Sequence, residues 1–217
     1  MQYVAAKFDM VGSRKLHRRS DVQKHFLHMA AEINVKFSNY LEAEFIVTHG
    51  DEAQVLLKAS HAKWVFRIFE HLSISMAEVD LRCGVGLGTL STDLQDISIG
   101  MDGEAWQNAK QAIDNAKKKR QTIGFFGFDS ELQTHLNAIG NLLCYLQARW
   151  TKEQTETILL LSQNHSQKEI ATLLGISQAA VSKRLSAAGW QHYYCGRESL
   201  EMLLMKVGYC YSNQASL

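Results

Sequence analysis

Glu44-Phe-Ile-Val-Thr-His-Gly-Asp-Glu-Ala-Gln-Val-Leu-Leu57 decides the reading of the first half of the chain. Two apolar runs, Glu44–Thr48 and Ala53–Leu57, flank His49-Gly50-Asp51-Glu52, and a glycine-aspartate pair between such runs signals a β-hairpin. Upstream, Tyr3–Phe8 is a short apolar run closed by Asp9 and Gly12, which predicts a buried strand. Between it and the hairpin, Val22, Phe26, Met29, Ala30, Ile33 and Phe37 recur at helical spacing and predict a helix over 21–40. Downstream, Ser60 stands where it would N-cap a helix over 61–76, with Trp64, Val65, Ile68, Phe69 and Leu72 facing inward. Leu81–Gly88 and Ile97–Met101 read as strands, Glu104–Lys119 as a helix and Thr122–Phe126 as a last strand. Strand-helix-strand-strand-helix-strand is the ferredoxin-like βαββαβ order, which predicts four antiparallel strands under two helices, extended by the later helix and strand.

The second half reads as helices alone. Asp129 or Ser130 is placed to cap a long helix through Arg149, whose Leu132, Leu136, Ile139, Leu143 and Leu146 suit a connector or a dimer seam. Thr151 opens a helix carrying Ile158, Leu159 and Leu161. Ser166 caps a helix over 167–174, Gly175 ends it in a left-handed turn, and Ser177 caps another over 178–188. Ala171 is small where the helices cross, and Val181 and Leu185 anchor the second to the first. This is a helix-turn-helix pattern. Its outward residues Gln178, Ala179 and Ser182, next to Ser177, are expected to meet base edges, and Lys168, Lys183 and Arg184 to meet phosphates. The predicted fold class is α+β, a βαββαβ domain over 1–128 followed by an all-α part. That part comprises a connecting helix over 129–150, a helix-turn-helix domain over 151–195, and a C-terminal helix and tail over 196–217.

The 217 residues carry a net charge of +1, so nucleic-acid binding through bulk charge is excluded and any contact needs a local patch. Cys83, Cys144, Cys195 and Cys210 are scattered without metal-ligand spacing, which argues against structural zinc or a disulfide framework and for a reducing cytoplasm. No apolar run is long enough to span a membrane and no signal-peptide pattern opens the chain, so no membrane partner is expected.

Gln167 to Leu185, Gln-Lys-Glu-Ile-Ala-Thr-Leu-Leu-Gly-Ile-Ser-Gln-Ala-Ala-Val-Ser-Lys-Arg-Leu, resembles the sigma region 4 and LuxR-type helix-turn-helix. Phe8-Asp-Met-Val-Gly-Ser-Arg14 resembles the first motif of class III nucleotidyl cyclases. His49-Gly-Asp-Glu52 resembles their second metal-binding aspartate and the GGDEF hairpin of diguanylate cyclases, and Leu81–Gly88 their glycine-rich strand. In a βαββαβ sheet the end of the first strand lies beside the start of the third, so Asp9 and Asp51 would sit together, suited to Mg²⁺ and a triphosphate. Gly12, Ser13 and Arg14 are the expected phosphate cradle. Two places depart from the cyclase pattern. Val47 stands where a purine-reading lysine is implied, and Gln107 and Gln111 stand where asparagine and arginine are implied, which removes a cation from the transferring phosphoryl group.

Taken together, the Asp-x-x-Gly-Ser-Arg opening, the Gly-Asp-Glu hairpin and the Trp150-Thr-x-x-Gln154 entry to the last helices resemble the SatD family over most of the chain. These readings predict a cytoplasmic, homodimeric, DNA-binding transcriptional regulator. Its cyclase-like domain would sense a nucleotide or anion or mediate dimerisation, with a degenerate site rather than an enzyme's. The alternative is an active Mg²⁺-dependent nucleotidyl cyclase or related phosphoryl-transfer enzyme. A second alternative is a non-enzymatic protein–protein adaptor.

Overall fold

Alternation along the first strand sets the layers. In the computed structural model, which describes residues 1–12 and 18–212, β1 (Tyr3–Met10) buries Val4, Ala6, Phe8 and Met10 on one face of a five-stranded sheet. Ala5, Lys7 and Asp9 alternate with them and point to the other face. α1 (Arg19–Lys36) follows on the Phe8 face, where Phe26 meets Phe45 edge-on and Phe45 packs on Phe8 at 5.1 Å between rings. β2 (Leu41–Val47) and β3 (Glu52–Lys58) form the expected hairpin. α2 (Trp64–Ser75), β4 (Leu81–Gly88), α3 (Glu104–Lys119) and β5 (Ile123–Phe126) complete the layer, and the strand order is β2-β3-β1-β4-β5. The first four strands are antiparallel neighbours, as βαββαβ requires, and β5 adds parallel to β4 after the α3 crossover.

β4 explains itself through α3. Gly84, Gly86, Gly88 and Gly124 lie under Ala105, Ala109, Ala112 and Ile113, and a Cβ at Gly88 would stand 2.7 Å from the Ala105 nitrogen. At Gly84 and Gly86 it would fall inside the backbone of Ala109 and Ile113. The glycine-rich strand therefore lets a helix lie on the sheet at backbone distance, and its spacing needs no phosphate to account for it.

Three asparagines finish the edges. Register shifts occur in β2 around Ala43 and Ile46, and there Asn34 of α1 accepts from Phe45 N at 2.7 Å and donates to Phe45 O at 2.9 Å. α4 (Ser130–Gln147) starts under Asp129, whose Oδ1 accepts from Glu131 N and Leu132 N. Its Asn137 exchanges both bonds with the Phe125 backbone, and Asn141 does the same for Ile123, so β5 does not present an open edge. The first part of α4 is thus a cover for the sheet before it is anything else.

Two local expectations fail. Ser60 caps no helix. The chain leaves β3 through a short 3₁₀ turn at Ala59–His61, with Ala59 and Ala62 buried, and α2 begins only at Trp64 with no side-chain cap. Ile97–Met101 is not a strand. Ser98 is fully buried and donates to Glu44 O at 2.7 Å, while Ile97 and Ile99 are exposed, the inverse of the pattern that suggested a strand. One isolated bridge, Glu44 to Ile97, ties this segment to the β2 edge.

The remaining helices are α5 (Lys152–Ser162), α6 (Gln167–Leu174), α7 (Gln178–Ala187) and α8 (Trp190–Ser212). Thr151 with Gln154 and Ser166 with Glu169 form capping boxes, Ser177 accepts from Ala180 N at 3.1 Å, and Gly175 takes φ +64°. Ile158, Ile170, Ala171, Val181 and Leu185 are buried, and Trp150 Nε1 donates to Ala188 O at 2.9 Å. The compact unit that holds them is wider than the expected domain over 151–195. The chain divides into two compact units, Met1–Asn141 with the chain from Leu200, and Leu142–Ser199. The second takes in the end of α4 and the first half of α8 together with α5–α7. The serine caps, Gly175 and the buried apolar positions of the helix-turn-helix pattern serve the capping and packing of this unit. Among the described residues no helix is long and apolar enough to cross a membrane.

Candidate functional site

Register brings the two aspartate segments together. Asp9 is paired with Glu52 across β1–β3, and the next amide, Met10 N, donates to Asp51 O at 3.0 Å. The hairpin turn is tight: Thr48 N donates to Glu52 O at 2.9 Å, Asp51 N to His49 O at 2.7 Å, and Gly50 takes φ +70°. Gly12, at φ +71°, opens the turn that leaves β1 at the same end of the sheet. Ser13 and Arg14 lie outside the described residues.

Asp9 points to the α3 face, where two cations meet it. Lys117 Nζ of α3 is 3.3 Å and Arg82 Nη1 of β4 is 3.6 Å from the same oxygen, Oδ2. The carboxylate is largely buried, with 17 % of the side chain exposed, so both contacts are stronger than surface pairs. Arg82 is fixed by a second bond, Nε to Gln121 O at 3.2 Å. One step back on β1, Lys7 donates to Gln54 Oε1 at 3.2 Å and lies over the Trp106 ring at 5.6 Å. Burial lowers the Lys7 pKa from the ordinary lysine value; Glu52 opposes this and Lys110 adds to it. Gln54 in turn donates to Ser98 O, tying the 89–103 segment to the sheet.

Arg82, Lys117 and Lys7 are not among the residues that the sequence reading placed at this end of the sheet. The strand order carried the missing signal: Arg82 is the β4 partner of Asp9, a pairing that appears only once β1 is known to lie between β3 and β4. Val47 pairs with Ala53 and is half-buried, and Gln107 and Gln111 lie exposed on α3, so none of the three meets Asp9. Among the described residues no three His, Cys, Asp or Glu converge as metal ligands.

In the helical unit Ser177 is engaged as an N-cap and Arg184 turns inward, Nη1 to Thr157 Oγ1 at 3.4 Å. Lys168, Gln178, Ala179, Ser182 and Lys183 are exposed.

The fold is a mixed α+β sheet of order β2-β3-β1-β4-β5 with both aspartate segments at its hairpin end. The chain belongs to the SatD family, whose model matches residues 3–204. No curated protein matches its sequence. Among solved structures, a bacterial light-regulated adenylyl cyclase is similar at 10 % identity and a TM-score of 0.42, over 58 % of this chain and 42 % of that one. The active GGEEF domain of a diguanylate cyclase from Vibrio cholerae is similar at 16 % identity and 0.42, over 59 % of this chain and 85 % of that one. The adenylyl cyclase CyaB from P. aeruginosa is similar at 16 % identity and 0.37, over 53 % and 71 %. The chain thus spans less than half of the light-regulated enzyme's length. These findings overturn the reading as a DNA-binding transcriptional regulator. One family model runs unbroken through the sheet and the later helices, and it sets no DNA-binding module apart.

Proposed function

We propose that the protein is a Mg²⁺-dependent nucleotidyl- or phosphoryl-transfer enzyme acting on a nucleoside triphosphate. One observation carries the reading: Asp9 and the Asp51 turn share one end of the sheet, with Arg82 and Lys117 converging on the first carboxylate. Asp9 and Asp51 hold the metal, which supplies charge neutralisation at the phosphates when bound. Gly12, Ser13 and Arg14 are the residues assigned to the phosphates, on the motif that they share with the cyclases. Arg82 and Lys117 bring positive charge to the site. A homodimer accompanies this reading, and light scattering tests it. The main experiment incubates the full chain with Mg²⁺ or Mn²⁺ and each nucleoside triphosphate and separates the products by chromatography. Product that disappears in both Asp9→Ala and Asp51→Ala supports the enzyme. Product formation unchanged in those variants, or no product with any triphosphate, overturns it.

A further inference from the structure

We infer that the outward face of α4 is the surface on which two copies of this chain pair, antiparallel about a two-fold axis, an inference that rests on the homodimer of the preceding reading and names its seam. Glu131 and Arg149 are the only charged side chains between Ser130 and Trp150, so 132–148 carries no Asp, Glu, Lys or Arg in a chain that is 21 % charged. On the inner side that is accounted for. Leu136 and Leu143, which the sequence offered for a seam, are buried, and Gly140 lies against Ile123 and Phe125. On the outer side Ala138, Leu142 and Tyr145 are exposed, the last two at 59 % and 58 %. The solvent face of a helix is ordinarily charged, and loss of charge around an exposed aromatic side chain marks the core of an interface.

The spacing and the charges name the partner. Glu131, His135, Ala138, Leu142, Tyr145 and Arg149 are all exposed and recur at alternating intervals of four and three residues. On one continuous helix and its closing turn, that spacing is a single coiled-coil seam about 27 Å long. Arg149 stays on the seam, since its Nη1 donates to Tyr145 OH at 3.2 Å and its guanidinium lies 5.5 Å from the centre of that ring. Set against itself antiparallel, with the axis level with Gly140, the seam is complementary throughout. Glu131 of one copy meets Arg149 of the other at both ends, His135 meets Tyr145, and the small Ala138 receives Leu142. The guanidinium has five donors, so Arg149 can pair across the axis and keep Tyr145. Parallel pairing would set Glu131 on Glu131 and Arg149 on Arg149.

The two kinds of contact have different tasks. Burial of Leu142 and Tyr145, each present twice about the axis, drives association. The end charges fix direction and register more than strength. A single helix pair buries less than a standard interface, so the dimer is reversible and dissociates on dilution.

Sedimentation equilibrium of the full chain over a range of concentrations at low salt tests this, with circular dichroism to confirm that each variant keeps its fold. A monomer–dimer equilibrium is expected. Leu142→Lys should weaken it about tenfold or more, because a charge then enters the middle of the seam. Glu131→Arg and Arg149→Glu should each weaken it about fivefold, since each sets like charges together at both ends. The double variant Glu131→Arg with Arg149→Glu should regain the affinity of the unaltered chain. In a parallel pair the single reversals would change nothing, because like charges already face each other. A dimer indifferent to Leu142→Lys, or to both single reversals, overturns the seam and leaves the homodimer standing. A monomer at every concentration overturns both, and product formation then still decides the reading of Asp9 and Asp51 by itself.

Discussion

The sheet unit and the helical unit are held together by different means. In the sheet unit the decisive contacts join residues far apart in sequence: Gly84 and Gly86 against Ala109, Asn141 against Ile123, Arg82 and Lys117 against Asp9. In the helical unit they are mostly local: Thr151 with Gln154, Ser166 with Glu169, Ser177 with Ala180. A motif made of local contacts can be complete in sequence and still say nothing of a ligand, because caps and a left-handed glycine are what three short helices need in order to pack. The Gln167–Leu185 pattern is such a case. The sparse aspartates of the sheet unit mean little in sequence and acquire a chemical context only when strand register brings Asp9 and Asp51 together.

That contrast can be broken by substitution, and the largest effect belongs to the helix–sheet contact. Gly86→Val should cost about 3 kcal/mol or more, because the added carbons fall on the α3 backbone and cannot be relieved by a side chain. Gly175→Ala, at φ +64° but with nothing within 4 Å, should cost only about 1 kcal/mol. Urea titrations followed through Trp64 and Trp106 for the sheet unit, and Trp150 and Trp190 for the helical unit, measure both. Equal costs would erase the distinction.

Asn141→Leu comes next. It strips Ile123 of two backbone partners and should cost about 2 kcal/mol, with faster hydrogen exchange at Ile123 as the specific sign. Ser166→Ala removes one half of a capping box and should cost about 1 kcal/mol, confined to the signal of the helical unit.

The smallest effect is a pH dependence. His71 is buried between Glu32, at 2.9 Å from Nε2, and Lys36, at 3.3 Å from Nδ1. Burial first, then the Lys36 charge, lower its pKa from the ordinary value of 6.5, and Glu32 only partly offsets them. The ring is therefore neutral at neutral pH and its contact with Glu32 is a hydrogen bond. Below pH 6.5 the unfolded chain takes up a proton that the folded chain still refuses, so stability falls as pH drops through that window and is fully present above it. Thermal melts between pH 8 and 5 should show a shallower decline for His71→Gln than for the unaltered chain.

Sequence alone determined the elements whose cause is local. The hairpin followed from Gly50-Asp51 between two apolar runs, the bounds of α3 and α6 from periodicity and caps, and the βαββαβ order from the succession of elements. It misjudged Ser60, which a buried turn at Ala59–Ala62 overrides, and Ile97–Met101, where a buried Ser98 displaces the isoleucines outward. Tertiary structure alone decided why β4 is rich in glycine, which cations stand on Asp9, and that Lys7 shares a face with Asp9 under Trp106. The physical reason is the same in each case. Caps and turns are satisfied within a few residues, so their signals lie side by side in the chain. A sheet pairs residues tens of positions apart, and one step of register turns every side chain to the opposite face.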